Sequence, residues 1–189
     1  MSTQPKSFIT PEQYLEIERQ AEYKSEYLNG EMFAMFGASS PHNIICSNIL
    51  RELGNQLRKR PCIAYPSDQR VLVPATGLYT YPDVTAVCGE PKFTDDRLDT
   101  LLNPSLIIEV LSPSTEAYDR GRKFAHYKKI ESLEEYLLVA SKEMYADLFR
   151  RMPEGLWVAA SAEKPEDVLE LPSIGCRLVL ADIYEKVRL

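Results

Sequence analysis

Residues 106–111 read Leu-Ile-Ile-Glu-Val-Leu, and so continuous an apolar run marks a strand covered on both faces. A strand of that kind needs packed layers above and below it, which rules out an open, one-sided sheet. The next segments agree. Residues 116–130 read as a helix whose propensity is interrupted by Gly121, and Leu137-Leu138-Val139 is the next strand candidate, giving strand, helix, strand.

The N-terminal half has clear punctuation. Residues 10–20 form a helix signal, with Thr10 as cap, Pro11 in the first turn, and Tyr14, Leu15 and Ile17 on its apolar side. Tyr27-Leu28-Asn29-Gly30-Glu31-Met32-Phe33 places Asn-Gly between two apolar runs, the pattern of a two-residue hairpin. Ser40-Pro41 opens a second helix, where Ile45, Ile49, Leu53 and Leu57 recur every four residues and Cys46 and Leu50 widen the stripe. It ends at Arg58-Lys59-Arg60-Pro61, since basic groups suit a helix C-terminus and proline stops it.

Strands are expected at residues 70–73 and 83–87. An antiparallel finish is expected at 145–151, the Pro153-Glu154-Gly155 turn, 156–160, and the alternation of Cys176, Leu178 and Leu180. A length of 189 residues suits one domain, assigned to residues 10–189 behind a tail at 1–9. The fold class is α/β with α+β character, a mixed sheet core flanked by helices.

No apolar run approaches bilayer length, and Met1 to Ser7 lacks the apolar segment of a secretory signal, so a cytoplasmic protein with no membrane partner is expected. A net charge of −6 argues against non-specific adhesion to nucleic acid while leaving room for local basic patches. Cys46, Cys62, Cys88 and Cys176 lack CxxC spacing, and neither a disulfide framework nor a zinc ribbon is expected.

Glu109 is the residue that demands chemistry. A carboxylate inside an apolar strand costs several kcal/mol of desolvation unless a cation or donors compensate it, on the order of magnitude usual for buried charge. Asp83, in Tyr81-Pro82-Asp83-Val84, offers a second hard oxygen at a strand start, and two acids from neighbouring strands suit a divalent ion that keeps waters for phosphate chemistry. The bland alternative pairs Glu109 with a buried Arg or Lys and leaves Asp83 as a turn residue.

Pro-Asp, then a Glu flanked by apolar residues, then a helix carrying lysine is the order of the PD-(D/E)XK phosphodiesterases. More closely, Tyr27-Leu28-Asn29-Gly30-Glu31, His42, Tyr81-Pro82-Asp83-Val84, Ile108-Glu109-Val110-Leu111-Ser112-Pro113-Ser114, Lys123, Tyr127 and Tyr136-Leu137-Leu138-Val139 resemble the Uma-two family of restriction-endonuclease-like proteins, from about Thr10 to Tyr184. The resemblance implies a restriction-endonuclease-like fold, Mg²⁺ or Mn²⁺ as cofactor, DNA as substrate and 5′-phosphate ends as product. It also implies a metal site of Asp83, Glu109 and the Val110 carbonyl, with Glu31 as a further acid. Small nucleases of this fold often dimerise, so a homodimer is a further expectation from resemblance.

One departure matters. Leu111 stands where the superfamily's Glu-x-Lys motif puts its lysine, and leucine cannot orient a nucleophile. In the Uma-two-like pattern the lysine moves to the next helix, at Lys123, four residues after Asp119 and four before Tyr127, on one helical face. Its alternative is an ordinary surface pair with Asp119. His42 is either a structural hydrogen-bonding partner or part of the site, and Asp119 and Tyr127 are further candidates. Arg58, Lys59, Arg60 and Arg122, with Arg120, Lys128 and Lys129, are either DNA contacts or solvated charges.

Three functions remain open at this level. The first is a metal-dependent endonuclease with Lys123 positioning the attacking water. The second is a non-cleaving nuclease-fold module for nucleic-acid binding or assembly, which the broken motif and the acidic balance permit. The third is a structural protein in which a cation contacts Glu109 and leaves no room for metal.

Overall fold

The computed structural model describes residues 8–189, so most of the tail expected at 1–9 lies outside the described residues. In α1 (Pro11–Glu18), Thr10 and Gln13 form a reciprocal capping box, and Tyr14 is fully buried. Ile17, expected on the apolar side, is exposed, and Glu18 is buried in its place. The hairpin β1 (Ser25–Leu28) and β2 (Glu31–Ala34) turns through Asn29 and Gly30, both at positive φ as the Asn-Gly pair predicts. A side chain at Gly30 would also collide with the ring of Phe8.

α2 (Ser40–Leu57) starts one residue earlier than expected, with Ser39 rather than Ser40 in the cap position. Ile45, Ile49 and Leu53 have no exposed surface, so the four-residue stripe faces the core as its spacing requires. Six strands come after it: β3 (Cys62–Pro66), β4 (Arg70–Val73), β5 (Leu78–Thr80), β6 (Val84–Cys88), β7 (Thr100–Leu101) and β8 (Leu106–Leu111). Next come α3 (Glu116–Tyr118), a π-helical stretch (Asp119–Lys123) and α4 (Phe124–Tyr127). The chain finishes with β9 (Glu135–Ala140), β10 (Ala146–Arg151), β11 (Trp157–Ala162), β12 (Val168–Leu171), β13 (Cys176–Val179) and α5 (Leu180–Ile183). Leu180, expected to continue a strand alternation, instead opens that last helical turn.

Six strands form a mixed sheet in the order β11-β10-β9-β8-β6-β3, parallel between β8 and β9 and antiparallel elsewhere. Five more form a second sheet, β2-β1-β5-β4-β7, and β12 and β13 pair as a hairpin. The mixed sheet flanked by helices agrees with the expected fold class; the division into two sheets and a hairpin was not foreseen.

Strand alternation explains why β8 is apolar throughout. Leu106, Ile108 and Val110 join one core with the α2 stripe and the β12–β13 hairpin. Ile107 and Leu111 join another with Phe124, Tyr127 and residues of the second sheet. Glu109 shares this second face, the side covered by the helix between β8 and β9.

A buried polar network ties α1 to the second sheet. The Tyr81 hydroxyl donates to Glu18 Oε1 at 2.9 Å, and Arg70 donates to the Tyr81 oxygen at 2.8 Å and to the Thr100 hydroxyl at 2.9 Å. Arg70 and Arg19 both reach Asp99, at 3.0 and 2.8 Å. Tyr81 immediately precedes Pro82-Asp83, so these bonds anchor the segment that delivers Asp83.

One sequence expectation is corrected by strand register. Cys62 and Cys88 are opposed on β3 and β6 and form a disulfide, while Cys46 and Cys176 are free thiols. The two partners lie 26 residues apart with no motif spacing, and only the pairing of the strands brings them together.

Candidate active site

A cleft of about 500 Å³ opens at the ends of β6 and β8. Its walls come from β1, the loop from β2 into α2, the Tyr81–Asp83 segment, the loop after β8 and the π-helical stretch. Asp83 and Glu109 both line it.

Asp83 sits just before the start of β6, where the β6–β8 pairing stops at Val84 opposite Ile108. Its Oδ2 accepts the Val110 N–H at 2.7 Å and lies 3.1 Å from His42 Nε2. A residue's N–H and C=O project from the same strand edge, so the Val110 carbonyl faces this edge as well. Leu111, one residue on, uses its carbonyl on the opposite side, accepting the Ser141 N–H at 3.2 Å.

Glu109 is 4 % exposed. Its Oε1 accepts the Tyr127 hydroxyl at 2.8 Å and lies 2.9 Å from Lys123 Nζ. Lys123 also lies 3.2 Å from Glu26 and 3.6 Å from Asp119. One buried ammonium thus faces three carboxylates, with Asp83 close by.

The position of Lys123 follows from the same alternation. Leu111 shares the Glu109 face of β8, as a Glu-x-Lys lysine would, but is packed into the core beneath the helix. The helix covering that face supplies the ammonium instead. Asp119, Lys123 and Tyr127 converge as their spacing predicts, although the turn carrying the first two is π-helical rather than α-helical. Such wider turns recur at functional sites.

Burial is the main influence on these groups. It pushes the Glu109 carboxyl up to about 8, with Asp119 and Asp83 adding to the rise and Lys123 opposing it. Burial also raises Asp119, again against the pull of Lys123. For Lys123 burial acts downward, but Glu109, Tyr127, Glu26 and Asp119 outweigh it and hold the ammonium charged well above the usual lysine range. His42 behaves likewise: burial lowers it, and the Asp83 hydrogen bond and charge raise it overall.

The donor set suits a hard divalent cation. These contacts use Oδ2 of Asp83 and Oε1 of Glu109, leaving Oδ1 and Oε2, together with the Val110 carbonyl, as oxygen donors. A surplus of buried acids over a single ammonium is also the electrostatic setting that a cation relieves.

His42, Cys46 and Asp83 are a second cluster, with one ligand atom from each lying within 4.8 Å of the others. It is built as a chain rather than a cage. The imidazole turns Nε2 to Asp83 and Nδ1 to the Cys46 sulfur at 3.6 Å, standing between them. Burial, reinforced by Asp83 and Glu109, pushes the Cys46 thiol up.

The cleft therefore gathers Asp83, Glu109, Val110, Lys123, Asp119 and His42, and Tyr127 supports it from the core. Glu31 is not brought in. It shares a hairpin strand pair with Glu26, but the register sets Glu31 opposite Leu28 near the turn and Glu26 opposite Phe33, nearer the cleft. Glu26 is the acid that sequence reasoning missed. A glutamate in the strand Ser25-Glu26-Tyr27-Leu28 was the available signal, passed over because the family resemblance pointed to Glu31.

None of the four expected DNA-contact residues lines the cleft. Arg58, Lys59 and Arg60 lie at the far end of α2 from His42, about 24 Å further along its axis at about 1.5 Å per residue. Arg122 is exposed beside Lys123.

Comparison with known proteins places the chain in a family. The family model Uma2, described as "Putative restriction endonuclease", matches residues 11–181. The chain belongs to the Uma2 family. Its relatives include Uncharacterized protein slr1290 of Synechocystis sp., 38% identical over 178 residues that cover 93% of this chain and 91% of that protein. Uncharacterized protein sll1609 of the same organism is 37% identical over 150 residues, covering 79% and 85%. A crystal structure described as a putative nuclease belonging to DUF820 from Anabaena variabilis superposes with a TM-score of 0.76 at 19% identity, covering 93% of this chain and 97% of that one. At that identity the likeness is one of fold. Uma2 membership makes this a nuclease-like chain and points to a divalent metal and a nucleic-acid substrate. No helix among the described residues is long and apolar enough to cross a membrane.

Proposed function

We propose that the chain is a metal-dependent endonuclease hydrolysing phosphodiester bonds of DNA, with residues 10–189 as its nuclease domain. The observation carrying this is Lys123: its ammonium lies 2.9 Å from Glu109 on an open cleft, although the strand position where a motif lysine belongs is Leu111. Lys123 contacting Glu109 is also what a purely structural ion pair would give. What favours chemistry is the company the pair keeps, namely Asp83, the Val110 carbonyl and unspent carboxylate oxygens on a cleft of about 500 Å³. The same contact weighs against the non-cleaving alternative, whose main support was the missing lysine.

Asp83, Glu109 and the Val110 carbonyl would hold Mg²⁺ or Mn²⁺. The bound ion supplies Lewis-acid stabilisation of the phosphate and lowers the pKa of the attacking water. Lys123 holds the nucleophile in line and offsets negative charge growing on the non-bridging oxygens. Glu26 and Asp119 keep that ammonium charged and aimed, Tyr127 fixes the Glu109 rotamer, and the Val110 N–H with His42 fixes Asp83.

The test is cleavage of plasmid and oligonucleotide DNA by the purified chain with Mg²⁺ or Mn²⁺. Asp83→Asn, Glu109→Gln and Lys123→Ala should each reduce the rate by about 10²-fold or more, as removal of a transition-state contact does. Cleavage that persists in Glu109→Gln would come from a contaminant, and wild-type protein inert with every divalent ion would reject the proposal.

A further inference from the structure

The cleft has the wrong rim for gripping a duplex. Affinity for double-stranded DNA rests on cations that meet phosphates. Among the described residues the lining includes two lysines, Lys123 and Lys142, and Lys123 is occupied by Glu109, Glu26 and Asp119. Four carboxylates face the same space, and the chain carries a net charge of −6. The basic cluster Arg58–Arg60 lies at the other end of α2.

Aromatic surface is what the rim does offer. The segment from Phe33 to Ser39, which leads from β2 into α2, forms one wall of the cleft. Phe36 is 92% exposed and Phe33 is 49% exposed, and both line the cleft together with Met35. Isolated exposed apolar residues are ordinary, but two phenyl rings on one segment, over a site crowded with acids, form a surface that folding alone leaves uncovered. A nucleobase presents a flat face that stacks on such rings whatever its sequence. A paired base inside a duplex hides that face.

We infer that the cleft accepts single-stranded or locally unpaired nucleic acid, with a base next to the scissile phosphate stacked on Phe36 and backed by Phe33. This rests on the nuclease reading and narrows its substrate class. Phe36 and Phe33 are positioning residues for the strand, and the reacting phosphate would be met by the divalent ion held at Asp83 and Glu109, with the Lys123 ammonium beside it.

Fluorescence anisotropy with a labelled single-stranded DNA oligonucleotide and its blunt duplex, with Ca²⁺ present so that binding is read without turnover, tests this directly. The single strand should bind roughly tenfold tighter than the duplex at about 0.1 M salt, and Phe36→Ala should lose roughly tenfold on the single strand only. Phe36→Trp should retain binding, and because Phe36 is exposed neither variant threatens the fold. Equal or tighter duplex binding, no single-strand binding, or an unaltered Phe36→Ala would overturn the inference. Glu109-dependent cleavage of duplex that ignores Phe36→Ala would sink it while leaving the nuclease standing. Phe36-dependent binding of single strands without any metal-dependent cleavage would instead remove the nuclease reading.

Discussion

At the scale of single residues, the site is governed by a shortage of positive charge. Burial, with Asp119 and Asp83 adding to it, pushes the Glu109 carboxyl up to about 8 against the pull of Lys123. Its carboxylate must be free to ligate, so binding a divalent ion below that pH expels a proton. Titration calorimetry with Mn²⁺ should show affinity falling about tenfold for each pH unit below 8, with about one proton released at low pH and none well above 8. Affinity that ignores pH would contradict the assignment of Glu109 as a ligand. A second contrast separates two acids that the sequence alone confuses: Glu26→Gln should slow cleavage by about tenfold or more through loss of its contact with Lys123, and Glu31→Gln should leave the rate unchanged. Glu109 and Asp83 stood out as acids at strand positions, whereas Lys123 drew its candidate role from the family resemblance, since its spacing from Asp119 equally fits a surface pair. Glu26 was not legible, since its approach to Lys123 depends on the hairpin's placement across from a helix far along the chain.

At the scale of elements, strong local signals survived and weak ones did not. The Thr10 cap, the Asn29-Gly30 turn and the four-residue stripe of α2 each encode their own conformation, and all appear where expected. The strands β5 and β7 have only 3 and 2 residues, and for these, as for β3 and β12, partners distant in sequence decide whether the segment pairs. Arg70 and Asp99 belong to that second class: they bind β4, β7 and α1 into one unit that holds the Tyr81–Asp83 segment. Burial alone would raise Asp99, but hydrogen bonds from Arg19 and Thr100 and the charge of Arg70 hold it down at about 2. A depressed acid contributes stability above its unfolded value, near pH 4, and loses it as pH falls toward 2. Asp99→Asn should therefore cost about 1–2 kcal/mol at neutral pH, allowing for partial solvent screening, and denaturant melts should show that difference vanishing near pH 2. A cost that persists at that acidity would mean that lost packing, not charge, is responsible.

At the scale of the whole molecule, the sheet core and its flanking helices followed from the two-sided character of Leu106–Leu111, whereas the split into two sheets depends on register that no local segment carries. The Cys62–Cys88 bridge is the plainest case, closing a loop of 26 residues at the edge of the mixed sheet. Reduction, or the Cys62→Ser and Cys88→Ser pair, should lower stability by about 3 kcal/mol, read as an earlier denaturant midpoint, with cleavage retained because neither cysteine lines the cleft. On the proposed reading, these layers hold two acids and a carbonyl around one divalent ion. Anomalous diffraction from crystals soaked in Mn²⁺ tests it most directly. A peak within about 2.0–2.4 Å of Asp83, Glu109 and the Val110 carbonyl oxygen is the predicted result. A peak held by His42 and Cys46 without Glu109, or no peak in the cleft, would contradict it.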